Sequence, residues 1–179
     1  METATLIQDN FSLEDFLTHP PDAMEWVDGQ LVEKNGMTLK HSKIQLNLGS
    51  YWKDYQKSSG QGGQAYVEVP CRTNQQGRRP DVAYITPELL EQYGDFATLP
   101  QSFPLIAEIV SPTDLAEDIF LKAREYLDSG CLEVWLVFPE SHLVFIQTQT
   151  ELLCFRSGEV VATQQVLPGF SIPVDELLA

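Results

Sequence analysis

Residues 78–85 read Arg-Arg-Pro-Asp-Val-Ala-Tyr-Ile and residues 105–110 read Leu-Ile-Ala-Glu-Ile-Val, and these two stretches decide the fold. Each places one acidic residue, Asp81 or Glu108, among apolar and β-branched residues of the kind that form buried strands. A carboxylate buried in a sheet loses its hydration, which is costly unless a partner compensates. Two such carboxylates on strands that can lie side by side indicate a shared partner, and a divalent cation is the best candidate.

The length and composition are those of an ordinary globular protein. The 179 residues predict a single domain over residues 1–179, large enough to bury about 70% of the surface of its unfolded chain. No apolar run approaches the ~20 residues that a membrane-spanning helix needs, and the N-terminus lacks the basic and apolar regions of a signal peptide. We therefore expect a cytoplasmic protein with no membrane partner. Cys71, Cys131 and Cys154 lie far apart and are expected to be small buried residues, without a disulfide or a zinc site.

The charge distribution gives two opposing indications. A formal net charge of −15 argues against a nucleic-acid ligand, because binding to duplex normally recruits a surplus of Lys and Arg. Residues 34–79, however, contain eight basic residues and only two acidic ones, Asp54 and Glu68. This segment predicts either one basic face on an acidic body or a set of solvated surface lysines, and the sequence leaves both open.

Local patterns predict a mixed α/β protein. A capping-box pattern at Ser12 begins a short helix, and Asp28-Gly29 predicts a β-hairpin. Helical spacing predicts long helices over residues 40–57 and from Ser111 to Gly130. Strands are expected over residues 65–72, 81–86, 105–110, 133–138, 143–147, 152–155 and 160–163.

Buried carboxylates on strands suit the hydrolysis of a phosphodiester. That reaction needs hard oxygen ligands for Mg²⁺ or Mn²⁺, an activated water, and a cation that offsets charge on the phosphorus. Carboxylates are ligands of this type, and strands fix their positions better than loops do. A neighbouring lysine can orient or deprotonate the attacking water.

The order of these residues resembles the PD-(D/E)XK nuclease superfamily, and more narrowly its branch of restriction-endonuclease-like domains that was long catalogued as a domain of unknown function. The resemblance implies an α/β (α+β) fold with a restriction-endonuclease-like core over about residues 25–139 and a central sheet flanked by the two long helices. We expect the N-terminal β-hairpin and a C-terminal β-rich extension to be added to that core. The stretches that carry the resemblance are residues 25–32, His41, and residues 79–84, 107–112, 122–126 and 130–137.

The resemblance also implies the roles of individual residues. Asp81 and Glu108 are expected to bind Mg²⁺ or Mn²⁺, with the backbone carbonyl of Val110 as a third ligand. Val110 stands where the classical motif has its lysine, and in this branch the lysine lies in the next helix, which points to Lys122. Glu25 matches an additional acid of the branch and is expected to complete the metal site or to hold a water.

Ordinary structural roles remain open for the same residues. Asp81 follows a proline and could cap a turn, and Glu108 could be a core acid paired with a basic residue. Lys122 could form a surface ion pair with acidic neighbours on its helix, worth about 0–1 kcal/mol. Glu25 could lie on the hairpin surface.

The sequence thus predicts a metal-dependent endonuclease acting on nucleic acid, with DNA as the expected substrate. His41 and Arg79 are candidate contacts to that substrate, although a solvated histidine at the start of a helix is the favoured interpretation of His41. Members of the superfamily often pair to cut two strands, so the resemblance also allows a homodimer, for which the β-rich tail from Leu143 could supply the surface. The alternative is a nuclease-like fold that binds nucleic acid or a protein without cutting, which the net charge of −15 favours.

Overall fold

A computed structural model describes residues 11–34 and 37–179. Its elements are α1 (Leu13–Thr18), β1 (Met24–Val27), β2 (Gln30–Glu33), α2 (Leu39–Ser58), β3 (Gln64–Val67), β4 (Cys71–Arg72), β5 (Gly77–Arg78), β6 (Val82–Ile85), α3 (Pro87–Tyr93), β7 (Leu105–Ile109), α4 (Ala116–Leu127), β8 (Glu133–Phe138), β9 (Leu143–Gln147), β10 (Leu152–Arg156), β11 (Val160–Ala162), β12 (Ser171–Pro173) and α5 (Val174–Leu178). Among these helices, none is long and apolar enough to cross a membrane.

The strands form three sheets. The central sheet has six strands in the order β10-β9-β8-β7-β6-β3, a second sheet has the order β2-β1-β5-β4, and β11 pairs with β12. Strands β7 and β8 run parallel, and α4 supplies the crossover that a parallel pair needs. The predicted hairpin is confirmed as β1 and β2, with Asp28 and Gly29 at φ 50° and 87° in the turn.

Two hydrophobic clusters cover the two faces of the central sheet. On one face Val82 packs in a cluster with Trp52 of α2, and on the other Ala83 packs in a cluster with Tyr126 of α4. Strands β6 and β7 are therefore buried on both faces, which explains why their sequences are almost continuously apolar. The prediction of a central sheet between two long helices is confirmed.

The register of β6 and β7 sets the positions of the two acids. These strands are antiparallel, with Val82 opposite Ala107 and Tyr84 opposite Leu105. Continuing this register by one residue puts Asp81 opposite Glu108, so the two side chains project from the same face. By alternation this is the face covered by α4.

The predicted strand over residues 65–72 is wrong in its extent. β3 ends at Val67, Glu68 has a φ of 55°, and the chain resumes as β4 at Cys71 in the second sheet. The left-handed backbone at Glu68 turns the chain out of the central sheet, although the residues on both sides have high strand propensity.

The second long helix begins later than predicted. Ser111 and Asp114 form a turn in which the Ser111 amide donates to Asp114 Oδ2 at 2.8 Å and the Asp114 amide donates to Ser111 O at 3.0 Å. The helix α4 then begins at Ala116. The Asp114 side chain accepts a hydrogen bond from a nearby backbone amide, and such local hydrogen bonds favour turns over helix interiors.

The C-terminal strands are only partly an extension. β9 and β10 continue the central sheet, while β11, β12 and α5 pack against the face that holds α2. Cys71 and Cys131 are buried as predicted, but the prediction for Cys154 is wrong. Cys154 is exposed because β10 is an edge strand with alternate residues turned to solvent.

A buried carboxylate attaches the C-terminal segment to the central sheet. Glu133 is fully buried, and its Oε1 accepts a hydrogen bond from Trp135 Nε1 at 2.7 Å. Its Oε2 accepts the backbone amides of Gln164, Gln165 and Val166 at 2.9, 2.8 and 3.3 Å. One acid at the start of β8 thus holds the loop that precedes β12.

Candidate active site

A cleft of about 180 Å³ opens where β6 begins and β7 ends. It brings together five of the predicted site residues from five separate parts of the chain, together with one lysine that the sequence did not single out. The charged and titratable residues at its centre are Glu25, Lys34, His41, Asp81, Glu108 and Lys122.

Asp81 is held by donors on both of its oxygens. Its Oδ2 accepts the backbone amide of Ile109 at 2.7 Å and lies 3.2 Å from His41 Nε2, while Oδ1 accepts Lys34 Nζ at 2.7 Å. Burial alone would raise the pKa of this carboxyl, but Lys34 and His41 outweigh it and hold the pKa below its ordinary value. Asp81 is therefore an anion whose orientation is fixed before any ligand binds.

Glu108 is held from the α4 side. Its Oε1 accepts the hydroxyl of Tyr126 at 2.8 Å and lies 3.0 Å from Lys122 Nζ. Lys122 and Tyr126 are four residues apart on α4, so both lie on the helix face that covers the sheet. Burial raises the pKa of Glu108, and the attraction of Lys122 does not cancel this rise. Glu108 is thus a core acid paired with a lysine, as the alternative interpretation had it, and it also lines the cleft.

Glu25 belongs to a second ion-pair network. Its Oε1 accepts the Arg79 amide at 2.9 Å and lies 2.9 Å from Lys122 Nζ, while Oε2 accepts Arg78 Nη1 at 3.1 Å. Burial would raise the pKa of Glu25, but the charges of Lys122 and Arg78 outweigh it and lower the pKa to about 2. The interpretation of Glu25 as a hairpin-surface acid is wrong, because the side chain is buried in this network.

Lys122 bridges the two networks. Its side chain is only 15% exposed and pairs with Glu25 and Glu108, whereas Glu125, its acidic neighbour on α4, pairs with Arg78 at 2.6 Å. The surface ion pair considered for Lys122 is therefore wrong. Burial would lower the pKa of Lys122, but Glu108 and Glu25 outweigh it and raise the pKa, so this side chain is a cation at neutral pH.

Two predicted residues, Arg79 and Val110, do not line the cleft, and the role of the Val110 carbonyl as a metal ligand stays a prediction. The Arg79 guanidinium donates to three backbone carbonyls, those of Met24, Glu68 and Pro21, at 3.2, 2.7 and 2.8 Å. The guanidinium thus joins the start of β1 and the residues before it to the turn after β3, and it does not line the cleft. Val110 donates its amide to Val137 O and lines a neighbouring pocket of about 200 Å³. The residue of this strand end that lines the cleft is Ile109.

Lys34, Glu68 and Tyr126 are site residues that the sequence did not reveal. Lys34 and Glu68 pair at 3.1 Å although they are far apart in sequence, and neither belongs to a recognisable pattern. The signal for Tyr126 was available, because helical spacing places it one turn after Lys122 on the same face.

Half of the basic side chains of the segment 34–79 are paired with acids of the protein. Among the described residues, four of its eight basic side chains form ion pairs, and Arg79 donates to carbonyls. Lys43, Lys53 and Lys57 remain exposed on α2. The interpretation as solvated surface lysines thus describes these three, and the other five serve the structure.

The donor set of the cleft fits Mg²⁺ or Mn²⁺ with few protein ligands. Within residues 11–34 and 37–179, no group of three or more His, Cys, Asp or Glu side chains is arranged to hold a metal ion. Mg²⁺, however, is usually held by one or two carboxylates and several waters, and Asp81 and Glu108 supply two. The networks around the cleft also contain five carboxylates against three lysine and arginine side chains, an excess of negative charge that a divalent cation would offset.

Comparison with known proteins identifies the family. Residues 9–175 match the Uma2 family, described as a putative restriction endonuclease. The chain belongs to the Uma2 family. This finding confirms the resemblance to the restriction-endonuclease-like branch that the motifs indicated.

A solved structure confirms the fold assigned to this Uma2 chain. The structure is similar to the crystal structure of a putative nuclease belonging to DUF820 from Anabaena variabilis ATCC 29413, with a TM-score of 0.81 and 22% sequence identity. The similarity covers 93% of this chain and 96% of the other. No protein with a curated function matches the sequence significantly.

Proposed function

We propose that the protein is a Mg²⁺- or Mn²⁺-dependent endonuclease that hydrolyses phosphodiester bonds in nucleic acid, with DNA as its substrate. The observation that carries this proposal is the placement of Asp81, directly before β6, and Glu108, in the adjacent strand β7, beside one cleft and with Lys122 Nζ 3.0 Å from Glu108 Oε1. The description of the family as a putative restriction endonuclease and of the structural neighbour as a putative nuclease supports it.

Asp81 and Glu108 are the proposed metal ligands. A bound Mg²⁺ or Mn²⁺ supplies positive charge to the phosphate and lowers the pKa of a water. The Ile109 amide fixes the orientation of Asp81, and the Tyr126 hydroxyl fixes that of Glu108. Such outer partners hold the ligands in place and tune their basicity.

Lys122 acts in this proposal as a cation and a hydrogen-bond donor. An ammonium has three protons to donate and no lone pair, so in its charged form Lys122 orients the attacking water and offsets the charge that develops on phosphorus. Glu25 holds the ammonium from the other side at 2.9 Å. The role of general base that the motif also allows for Lys122 is disfavoured by its raised pKa.

His41 is the proposed contact to the substrate phosphate. It lines the cleft, and its buried Nδ1 has no hydrogen-bond partner among the described residues. Burial would lower the pKa of His41, but its hydrogen bond to Asp81 outweighs this and raises the pKa. A protonated imidazole can then donate to a phosphate oxygen or to a water.

Plasmid cleavage tests the proposal. Wild-type protein should nick supercoiled plasmid with Mn²⁺ and not with EDTA, and Glu108→Gln should nick at least about 100-fold more slowly. Glu117→Gln is the matched control, because it removes the charge of an exposed acid on α4. Equal nicking by wild type and Glu108→Gln would show that the nuclease activity does not belong to this site.

Binding measured in parallel tests the alternative, a nuclease-like fold that binds without cutting. The net charge of −15 and the internal pairing of the basic segment oppose contact with nucleic acid, so they favour the form of this alternative that binds a protein. Retained DNA binding without Mn²⁺-dependent nicking would instead support the form that binds nucleic acid. Millimolar Mn²⁺ should raise the melting temperature of wild type and not that of Asp81→Asn, and this comparison reports on the metal independently of turnover.

A further inference from the structure

The ammonium group of Lys34 lies in a pocket made entirely of oxygen atoms. Its Nζ is 2.7 Å from Asp81 Oδ1, 2.7 Å from the carbonyl oxygen of Arg79, and 3.1 and 3.2 Å from the two oxygens of Glu68. The side chain is 13% exposed and lines the same cleft as Asp81. Four oxygens from three residues thus surround one buried positive charge.

This arrangement is closer to a metal-coordination sphere than to an ordinary salt bridge. An ammonium has three protons to donate, whereas four oxygens converge on Lys34 Nζ. Carboxylate and carbonyl oxygens are the ligands that Mg²⁺ and Ca²⁺ take in proteins. The pocket is also held in place from behind, since Gln45 Nε2 donates to Glu68 Oε1 at 2.9 Å and to Asp81 O at 3.0 Å.

Asp81 places this pocket next to the proposed metal ion. Oδ1 of the Asp81 carboxylate contacts Lys34 Nζ. Oδ2, the other oxygen, contacts the Ile109 amide and His41 Nε2. In nucleases with two metal ions, one carboxylate commonly serves both ions, and the second ion offsets charge on the far side of the phosphate. In this protein the ammonium of Lys34 lies beside the Asp81 carboxylate, at the position where a shared second ion would bind.

We propose that Lys34 is a positioning residue that takes the place of a second metal ion, so that the protein binds one divalent cation per chain instead of two. The ammonium of Lys34 holds Asp81 Oδ1 in a fixed position, and Glu68 keeps Lys34 in the oxygen pocket. This inference rests on the proposed function in one respect, which is that Asp81 is a ligand of the first metal ion.

Counting bound Mn²⁺ tests this inference without measuring cleavage. Lys34→Met has a similar shape and no charge, so it leaves the buried Asp81 and the partly exposed Glu68 without their shared cation. We expect Lys34→Met to bind one more Mn²⁺ per chain than wild type when free Mn²⁺ is measured by electron paramagnetic resonance. Its melting temperature should also rise more on Mn²⁺ addition than that of wild type.

Two further variants separate this explanation from a general loss of structure. Lys34→Met/Glu68→Gln removes the cation together with one carboxylate, so it should return to the wild-type number of ions. Lys34→Arg keeps the positive charge and should also bind the wild-type number. If Lys34→Met does not fold, Lys34→Ala, in which water can fill the pocket, takes its place in the same comparison.

The outcomes distinguish this inference from the proposed function. An equal number of ions in wild type and Lys34→Met would overturn it, and so would an additional ion that persists in Lys34→Met/Glu68→Gln. A wild type that binds no Mn²⁺ would contradict the metal-dependent nuclease and, with it, the count of one ion per chain. A wild type that binds Mn²⁺ while Lys34→Met binds no additional ion would overturn the inference about Lys34 and leave the proposed function standing.

Discussion

Replacement of Glu25 by glutamine should destabilise the protein by an amount that follows from the network around it. Its pKa is lowered from 4.5 to about 2 by Lys122 and Arg78, against the effect of burial. Each pKa unit corresponds to about 1.36 kcal/mol, so the ionised carboxylate contributes about 3 kcal/mol to folding. Glutamine keeps the shape and loses the charge, so Glu25→Gln should lower the free energy of unfolding by about 3 kcal/mol at neutral pH.

The pH dependence gives this prediction a sign that can be checked. Because the folded-state pKa of Glu25 lies below the unfolded-state value of 4.5, the stabilisation is complete above about pH 4.5 and is lost as the pH falls toward about 2. The difference between wild type and Glu25→Gln should therefore shrink over this window. Urea unfolding followed by tryptophan fluorescence at several pH values measures it.

Glu108→Gln provides the matched contrast within the same cleft. Burial raises the pKa of Glu108, and Lys122 keeps Glu25 as a partner when the Glu108 charge is removed, so Glu108→Gln should lower the free energy of unfolding by less than Glu25→Gln does. A loss below about 1 kcal/mol for Glu25→Gln at neutral pH, or a loss that is unchanged near pH 3, would refute the reasoning. So would a larger loss for Glu108→Gln than for Glu25→Gln.

Two predictions concern parts of the molecule outside the cleft. Glu133→Ala should lower the free energy of unfolding by about 3–5 kcal/mol, because it leaves Trp135 Nε1 and three backbone amides without their buried acceptor. Thermal melting measures this loss. A change under about 1 kcal/mol would contradict the attachment of the C-terminal segment by Glu133. Ellman's reagent should modify Cys154 alone in the native protein and should modify Cys71 and Cys131 only after unfolding. These two thiols are buried, and burial raises the pKa of Cys131 to about 12. Rapid reaction of more than one thiol under native conditions would contradict their burial.

The parts of the fold that the sequence predicted are those where local pattern and tertiary environment agree. Strands β6 and β7 are buried on both faces, so their apolar runs were visible, and so were the single acids that interrupt them. The break at Glu68 was not visible, because Tyr66, Val67 and Val69 on both sides of it favour strands. Glu68 has a left-handed φ of 55°, and its side chain contacts Lys34 and Gln45, which lie elsewhere in the chain.

The candidate site likewise contains residues that the sequence predicted and residues that it did not. Asp81 and Glu108 could be found from residue type and position alone, and Lys122 could be found through the family resemblance. Lys34 follows a hairpin strand with no motif around it, and only the folded chain brings it to Asp81 at 2.7 Å. Arg79 lies within a recognised motif, but its guanidinium is used by backbone carbonyls that no sequence pattern identifies.

The antiparallel register of β6 and β7 determines where the chain can change length. Asp81 and Glu108 share a face because β-strand side chains alternate, so one residue inserted within either strand would turn its acid to the opposite face. The connection between β6 and β7 can change length without this effect at Gly94-Asp95, where both residues are exposed. Added residues there would lengthen a surface loop and leave the pairing of Val82 with Ala107 unchanged. Relatives of this protein should therefore differ in length between the two acids and keep the spacing within each strand.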